Sequence, residues 1–336
     1  MRVGIVGVGF MGSTHAQGWA ETDAVIAGFT ARPVELAGPI AAQFGAKVYP
    51  DFETLLEDVD VVDICTPTFL HYEMVLRAAQ AGKQILCEKP LSLTVEQGRE
   101  MVSACRKAGV RLLVGHVVRF FPEYAAAKAM VDSGQIGRPA VLHLGRKSFH
   151  PKKAADNWFL NEEKSGGMIQ DLMIHDFDYA RWIAGDVERV FAKSIHGSGH
   201  NVPGNHALAI LTHKNGTISH IEGSWAYPPP NFKTEFEIAC ADGLVVHNSD
   251  TAAPNSLYLK NAAGEEAQDV ALPSSPLAES PYTTQIKAFY RAITEGAPVP
   301  ITAEDGLAAV QIAKAAIESA RTGLAVTLET LPEVAS

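Results

Sequence analysis

The sequence is poor in several features that would each name a class of protein. Its four cysteines, Cys65, Cys87, Cys105 and Cys240, form no C-x-x-C pair and are too sparse for a disulfide framework, so free thiols in a reducing compartment are expected. No apolar run reaches the roughly 18 residues that a membrane span needs, and no charged leader with a long apolar region precedes the first strand pattern at Arg2. The expectation is a cytoplasmic chain that does not engage a membrane. Basic charge is also short: 28 Lys and Arg stand against 38 Asp and Glu, a net of −10. Nucleic acid and anionic surfaces would be repelled by that mean field, and a small polar molecule is the better partner. Internal repeats and low-complexity tracts are missing too. With 20% charged and 47% hydrophobic residues the composition is that of a folded globular protein, and 336 residues suit two domains of about 100–200 residues each.

What is present begins at the N-terminus. Arg2-Val3-Gly4-Ile5-Val6 is a short apolar strand pattern that runs into Gly7-Val8-Gly9-Phe10-Met11-Gly12, and Ser13 to Ala20 reads as helix. Strand, glycine turn and helix in that order suit a dinucleotide: Gly7 for the tight turn, Gly9 for approach of the pyrophosphate, and Gly12 for close packing of helix on strand, with phosphate at the helix N-terminus. The alternative is a glycine-rich loop that holds nothing. A second strand, Ala24 to Phe29, ends at Thr30-Ala31-Arg32, where a carboxylate would hold the adenosine ribose of NAD. A hydroxyl and a guanidinium stand there instead, which favours the 2′-phosphate of NADP, while a solvated surface arginine is the plainer reading. Glu35 falls slightly late for the ribose.

Strands and helices then alternate, as in a doubly wound parallel sheet covered on both faces. Val59 to Cys65 runs into Thr66-Pro67, followed by a helical pattern from Leu70 to Ala81; Thr66, Pro67 and His71 would lie along the nicotinamide half. Gln84 to Cys87 stops at Glu88-Lys89-Pro90, where proline ends the ladder and pins Lys89 at the strand's ligand end. Val110 to Gly115 closes the series. The boundary is placed near Arg119, giving a nucleotide domain over 1–119 and a second domain over 120–336, whose last helix could pack back on the first. After a helix from Glu123 to Asp132, strand patterns dominate: Ala140 to Lys147, Val187 to His196, Ala207 to His213, Thr217 to Trp225 and Thr234 to Ala239, with Lys214-Asn215-Gly216 as a hairpin turn. This half reads as α+β with a large, mostly antiparallel open sheet. The segment 250–280 reads as an irregular edge, and Tyr282 to Glu295 and Ala303 to Thr322 as helices.

Within the second half, Gly166-Gly167 precede a helical pattern in which Asp171 and His175 stand four residues apart, a spacing that puts a carboxylate and an imidazole on one helix face. Oxidising a secondary alcohol needs a base for the hydroxyl proton while hydride leaves the same carbon. His175 fits that base, Asp171 would accept a hydrogen bond from it or from substrate, and the Lys89 cation would favour a developing alkoxide. A capping or core hydrogen bond is the plainer reading of the pair taken alone. His196 and His200 flank a Gly-Ser-Gly loop without an HExxH motif or a cysteine partner, so no metal site is expected.

The glycine turn, Thr66-Pro67, Glu88-Lys89-Pro90 and Gly166-Gly167 with Asp171 and His175, in that order over nearly the whole chain, resemble the glucose-fructose oxidoreductase and inositol dehydrogenase (Gfo/Idh/MocA) family. The resemblance implies Lys89 near the substrate hydroxyl and nicotinamide, and Glu88 positioning cofactor or loop. It also implies an arginine at the domain crossover, here Arg119, and an open sheet that supports a homo-oligomer, dimer or tetramer. Family members often carry an arginine after the tryptophan equivalent to Trp158, where this chain has Phe159. Arg119, His150, Lys152, Trp158 and Tyr282 are further substrate candidates. The function implied is NAD(P)-dependent hydride transfer at a ring carbon of a sugar, polyol or sugar derivative. A glycoside-modifying enzyme that recycles its cofactor through a keto sugar, or a non-catalytic sensor of NAD(P), remains an alternative.

Overall fold

The computed structural model describes residues 1–151, 157–195, 205–250 and 279–330. Lys152, His196, His200 and most of the segment expected as an irregular edge (251–278) lie outside the described residues. The chain divides into two compact units, one made of 1–120, 163–165 and 279–307, the other of 121–162, 166–278 and 308–336.

The first unit is built on β1 (Arg2–Val6), α1 (Phe10–Ala20), β2 (Val25–Thr30), α2 (Gly38–Phe44), β3 (Lys47–Val48), α3 (Phe52–Glu57), β4 (Val61–Ile64), α4 (His71–Gln80), β5 (Gln84–Glu88), α5 (Val95–Ala108) and β6 (Leu112–Gly115). Its six strands are all parallel, in the order β3-β2-β1-β4-β5-β6. Val3, Ile5, Val61, Val62, Ile64, Ile85, Leu86 and Leu113 are wholly buried, as a sheet covered on both faces requires. Helix ends follow local chemistry: the Asp51 side chain accepts the Thr54 N–H at the start of α3, and Thr94 does the same for Gln97 at the start of α5. Because every strand runs the same way, the carboxyl ends of β1, β4 and β5 share one edge, and there the order reverses between β1 and β4. That edge is where such sheets receive ligands.

The second unit contains α6 (Pro122–Asp132), β7 (Pro139–Lys147), α7 (Glu162–Ser165, all but its first residue assigned to the first unit), α8 (Gly167–Asp171), α9 (Ile174–Ala184), β8 (Val187–Ile195), β9 (His206–His213), β10 (Ile218–Ser224), β11 (Lys233–Cys240) and β12 (Leu244–Asn248). Past the undescribed segment come α10 (Pro281–Thr294), which belongs to the first unit and packs on α1, α11 (Ala303–Thr322) and β13 (Val326–Thr327). Thr302 and Asp305 open α11 with a reciprocal cap, each backbone N–H bonded to the other's side chain at 3.1 Å. The seven-stranded sheet has the order β12-β11-β7-β10-β9-β8-β13, antiparallel except where β10 pairs with β7. One face carries Leu142, Leu144, Leu211, Ile221, Phe236 and Ile238, all buried. Among the described residues, no helix is long and apolar enough to cross a membrane.

One expectation is corrected. Asp171 and His175 do not share a helix: α8 ends at Asp171 and α9 begins at Ile174. Leu172 and Met173 keep right-handed helical dihedrals, but the Met173 N–H reaches back five residues to the Met168 carbonyl at 3.3 Å, and the ladder restarts with Asp176 N–H on Met173 at 3.0 Å. The backbone hydrogen-bond ladder is thus interrupted between the two residues.

Candidate functional site

In the first unit the glycine loop has the geometry its spacing suggests. Gly7 has φ +92°, and a Cβ there would lie 2.6 Å from the Cys65 carbonyl oxygen; a Cβ on Gly12 would lie 1.9 Å from the Gly7 oxygen. Both positions exclude a side chain by contact with backbone. Gly9 differs, since a Cβ there would meet nothing within 4 Å. It is the N-cap of α1, a helix with no side-chain cap and no acidic residue in its first turn. An uncapped helix N-terminus facing open space fits a pyrophosphate. Phe10 beside it is exposed and Met11 half-buried. Thr30 is buried and its carbonyl accepts the Gly7 N–H at 2.9 Å, while Arg32, two residues past the strand end, is exposed.

Thr66 and Pro67 follow β4, and Lys89 follows β5, so both stand on the ligand edge with the glycine loop. His71 is wholly buried, with Nδ1 2.9 Å from the Pro90 carbonyl and Nε2 2.9 Å from the Thr66 carbonyl. It ties the two loops together, and burial, the largest influence, pushes its pKa down despite those carbonyls. Glu88 is turned inward: its Oε1 lies 3.1 Å from Nε2 of His15 and its Oε2 accepts the Lys89 N–H at 3.2 Å. Arg119 is buried, with its guanidinium 3.3 Å from Asp305 and 3.4 Å from the Pro300 carbonyl, so it anchors the start of α11. Tyr282 is half-buried on α10.

The second unit holds the other candidates. Gly166 and Gly167 have φ of +80° and +73°, and this left-handed pair turns the chain into α8. Asp171 is buried at the end of α8; His175 is half-buried in the first turn of α9. The next residue, Asp176, is wholly buried and bidentate to Arg146 of β7, at 2.8 and 3.0 Å. Burial raises the Asp176 pKa and the guanidinium opposes that rise. The pair locks the first turn of α9, and with it His175, onto the sheet; removing the guanidinium would leave a buried unpaired carboxylate, at a cost of about 3–5 kcal/mol. Trp158 lies in a 3₁₀ turn (Trp158–Leu160), its ring stacked on Phe159 with centroids 3.9 Å apart. His150 packs on Trp225 at 5.3 Å, and burial lowers its pKa.

A cluster that sequence reasoning missed is His15 with Asp63 and Trp19. Asp63 is a lone carboxylate in the otherwise apolar Val61-Val62-Asp63-Ile64, and a charge within a buried strand is the signal that could have found it.

Residues 1–116 match the model of an oxidoreductase family with an NAD-binding Rossmann fold, and residues 124–246 match the GFO/IDH/MocA C-terminal domain. The chain is 33% identical to a 1,5-anhydro-D-fructose reductase of Ensifer adhaerens over 81% of each protein. It is 29% identical to a myo-inositol 2-dehydrogenase of Thermotoga maritima, over 98% of this chain and 99% of that one. A levoglucosan dehydrogenase solved with NADH and levoglucosan superposes with a TM-score of 0.83 at 25% identity, over 98% of this chain and 99% of that one. With both domain models matched, the chain belongs to the GFO/IDH/MocA family of oxidoreductases.

Proposed function

We propose that this protein is an NAD(P)-dependent dehydrogenase that moves hydride between nicotinamide and a ring CH–OH of a sugar, polyol or sugar derivative. The observation that carries the reading is that Lys89 stands on the same sheet edge as an uncapped glycine loop whose second glycine faces open space. The loop backbone from Gly7 to Gly12 would hold the pyrophosphate, and Thr66, Pro67 and the His71-braced turn the nicotinamide half. When bound, the dinucleotide supplies the hydride acceptor. The chain does the rest. His175 takes the hydroxyl proton on an imidazole nitrogen, the Asp171 carboxylate accepts a hydrogen bond that orients imidazole or substrate, and the Lys89 ammonium favours charge growing on the hydroxyl oxygen. Trp158, with its ring presented beside Phe159, and His150 are proposed to contact the sugar.

For the dinucleotide, Thr30 and Arg32 at the end of β2 favour the 2′-phosphate of NADP, because no carboxylate stands there for a ribose hydroxyl. The test is a panel of sugars and polyols with NAD and NADP, read at the nicotinamide absorbance, together with both dissociation constants. NADP is expected to bind more tightly, and Arg32→Ala to remove that preference; tighter NAD binding unchanged in Arg32→Ala would defeat the phosphate reading. Product formed with only catalytic cofactor would instead favour the recycling enzyme, and cofactor binding without turnover of any substrate the sensor.

We also propose that the protein is a homo-oligomer paired through the outer face of the seven-stranded sheet. Register places Val141, Phe191, Ile195, Leu208, Ile210, Ile218, Leu244 and Val246 on that one face, and each is exposed by 38–60%. An apolar face this broad belongs at an interface, and a second copy would cover it with the same surface. The double variant Leu208→Lys, Ile210→Glu should run as a monomer in light scattering where the parent runs as a dimer or tetramer; a monomeric parent would end the proposal.

A further inference from the structure

Beneath the ligand edge of the first unit lies an ion network that no step of the proposed reaction uses. His15, on α1, is wholly buried. Its Nδ1 lies 3.0 Å from both oxygens of Asp63 in β4, and its Nε2 lies 3.1 Å from Glu88 Oε1 at the end of β5. Trp19, one turn on along α1, donates its indole N–H to Asp63 Oδ2 at 2.7 Å, and Cys65 Sγ is 3.3 Å from Nδ1. Both ring nitrogens therefore face carboxylates. The Nε2–Glu88 approach is an ion-pair distance rather than an aligned hydrogen bond; a neutral imidazole that gives its one N–H to Asp63 would set a bare lone pair against that carboxylate, whereas the imidazolium sets a positive charge between the two. Electrostatics agree: burial is the largest influence and pushes the ring's pKa down, but the charge and hydrogen bonds of Asp63, together with Cys65, raise it, and the net displacement is upward. Burial raises the Cys65 thiol, with Asp63 adding to it, so the thiol is neutral.

The network joins the three segments that form the ligand edge. α1 carries the glycine loop, β4 runs into Thr66, and the Glu88 carboxylate that faces His15 with one oxygen accepts the Lys89 N–H with the other, at 3.2 Å. We propose that His15 is a positioning residue for hydride transfer: held as an imidazolium between Asp63 and Glu88, it fixes the Glu88 carboxylate and through it the Lys89 backbone, and so sets where the Lys89 ammonium stands. The inference rests on the reading of Lys89 as an active-site residue.

Two measurements test it. In the first, His15→Gln removes the charge while keeping an amide that can donate to Asp63. Turnover is expected to fall about 10- to 100-fold, the loss that displacement of a catalytic group brings, with NAD affinity far less affected. In a Lys89→Met background the same substitution should add little, because its effect passes through Lys89; full multiplication of the two losses, or unchanged turnover in His15→Gln, would overturn the proposal. If His15→Gln does not fold, Glu88→Gln keeps the shape and must show the same non-additivity. The second measurement is the ¹⁵N shifts of the His15 ring. Both nitrogens should remain protonated above the ordinary value of 6.5, and Glu88→Gln should lower the pH at which they titrate. Because the folded value is raised, the network's contribution to stability is complete below 6.5 and is lost as pH rises through the folded value, a decline that His15→Gln should abolish. The shifts need no turnover. A protein that oxidised nothing in the panel would defeat the functional reading, while a ring that titrates at or below the ordinary value of 6.5 would defeat this inference.

Discussion

His175→Ala and Lys89→Met should each bind NAD(P) as the parent does and lose turnover by orders of magnitude. A positioned acid or base contributes about 10²–10⁴-fold to a proton transfer, and one preorganised donor at a developing oxyanion about 10²–10³-fold. The melting temperature of each variant checks that the fold is kept. His175 is half-buried beside the Arg146–Asp176 pair that anchors its helix turn, and that pair survives truncation of the imidazole. Lys89 is half-buried just past β5, and Met keeps most of its length. Stopped-flow or steady-state turnover on the substrate found in the panel, with cofactor affinity by fluorescence titration, separates chemistry from binding. Activity close to the parent in His175→Ala would remove His175 as the base.

The second large effect divides the glycine loop into two kinds of position. Gly12→Ala puts a Cβ 1.9 Å from the Gly7 carbonyl oxygen, so backbone must shift, and both stability and cofactor affinity should fall. Gly9→Ala puts a Cβ where nothing lies within 4 Å; the ligand-free protein should keep its melting temperature. Any loss must then come from the ligand's side. Overpacking against pyrophosphate by about 1–3 kcal/mol corresponds to roughly 5- to 150-fold weaker binding. The rise in melting temperature on adding NAD(P) should shrink accordingly. Unchanged cofactor affinity in Gly9→Ala would show that the phosphates do not pass over this glycine.

Much of this was legible in the order of residues. The parallel strands read clearly because a sheet buried on both faces needs unbroken apolar runs, as in Val61-Val62 and Ile85-Leu86-Cys87. The glycine turn read clearly because its contacts are local: Gly12 meets Gly7, five residues away. β3 and β13, of two residues each, were not legible, since so short a pairing leaves no alternation to detect. Nor was the break between α8 and α9. Leu172 and Met173 are ordinary helical residues in ordinary helical dihedrals, and only the hydrogen bonds change partner.

The sequence by itself determined the family, the doubly wound sheet, the glycine turn of Gly7, Gly9 and Gly12 and the place of Lys89 at the end of β5, because each is marked by neighbours within a few residues. Tertiary structure alone decided what faces what over long separations. Arg119 meets Asp305, 186 residues away, and so anchors a helix. His15 meets Asp63 across 48 residues and Glu88 beyond that. Arg146 reaches Asp176 from the sheet. Burial is what makes these pairings necessary, since a charge removed from water needs a partner wherever the chain can bring one, and sequence spacing carries no record of which partner that is.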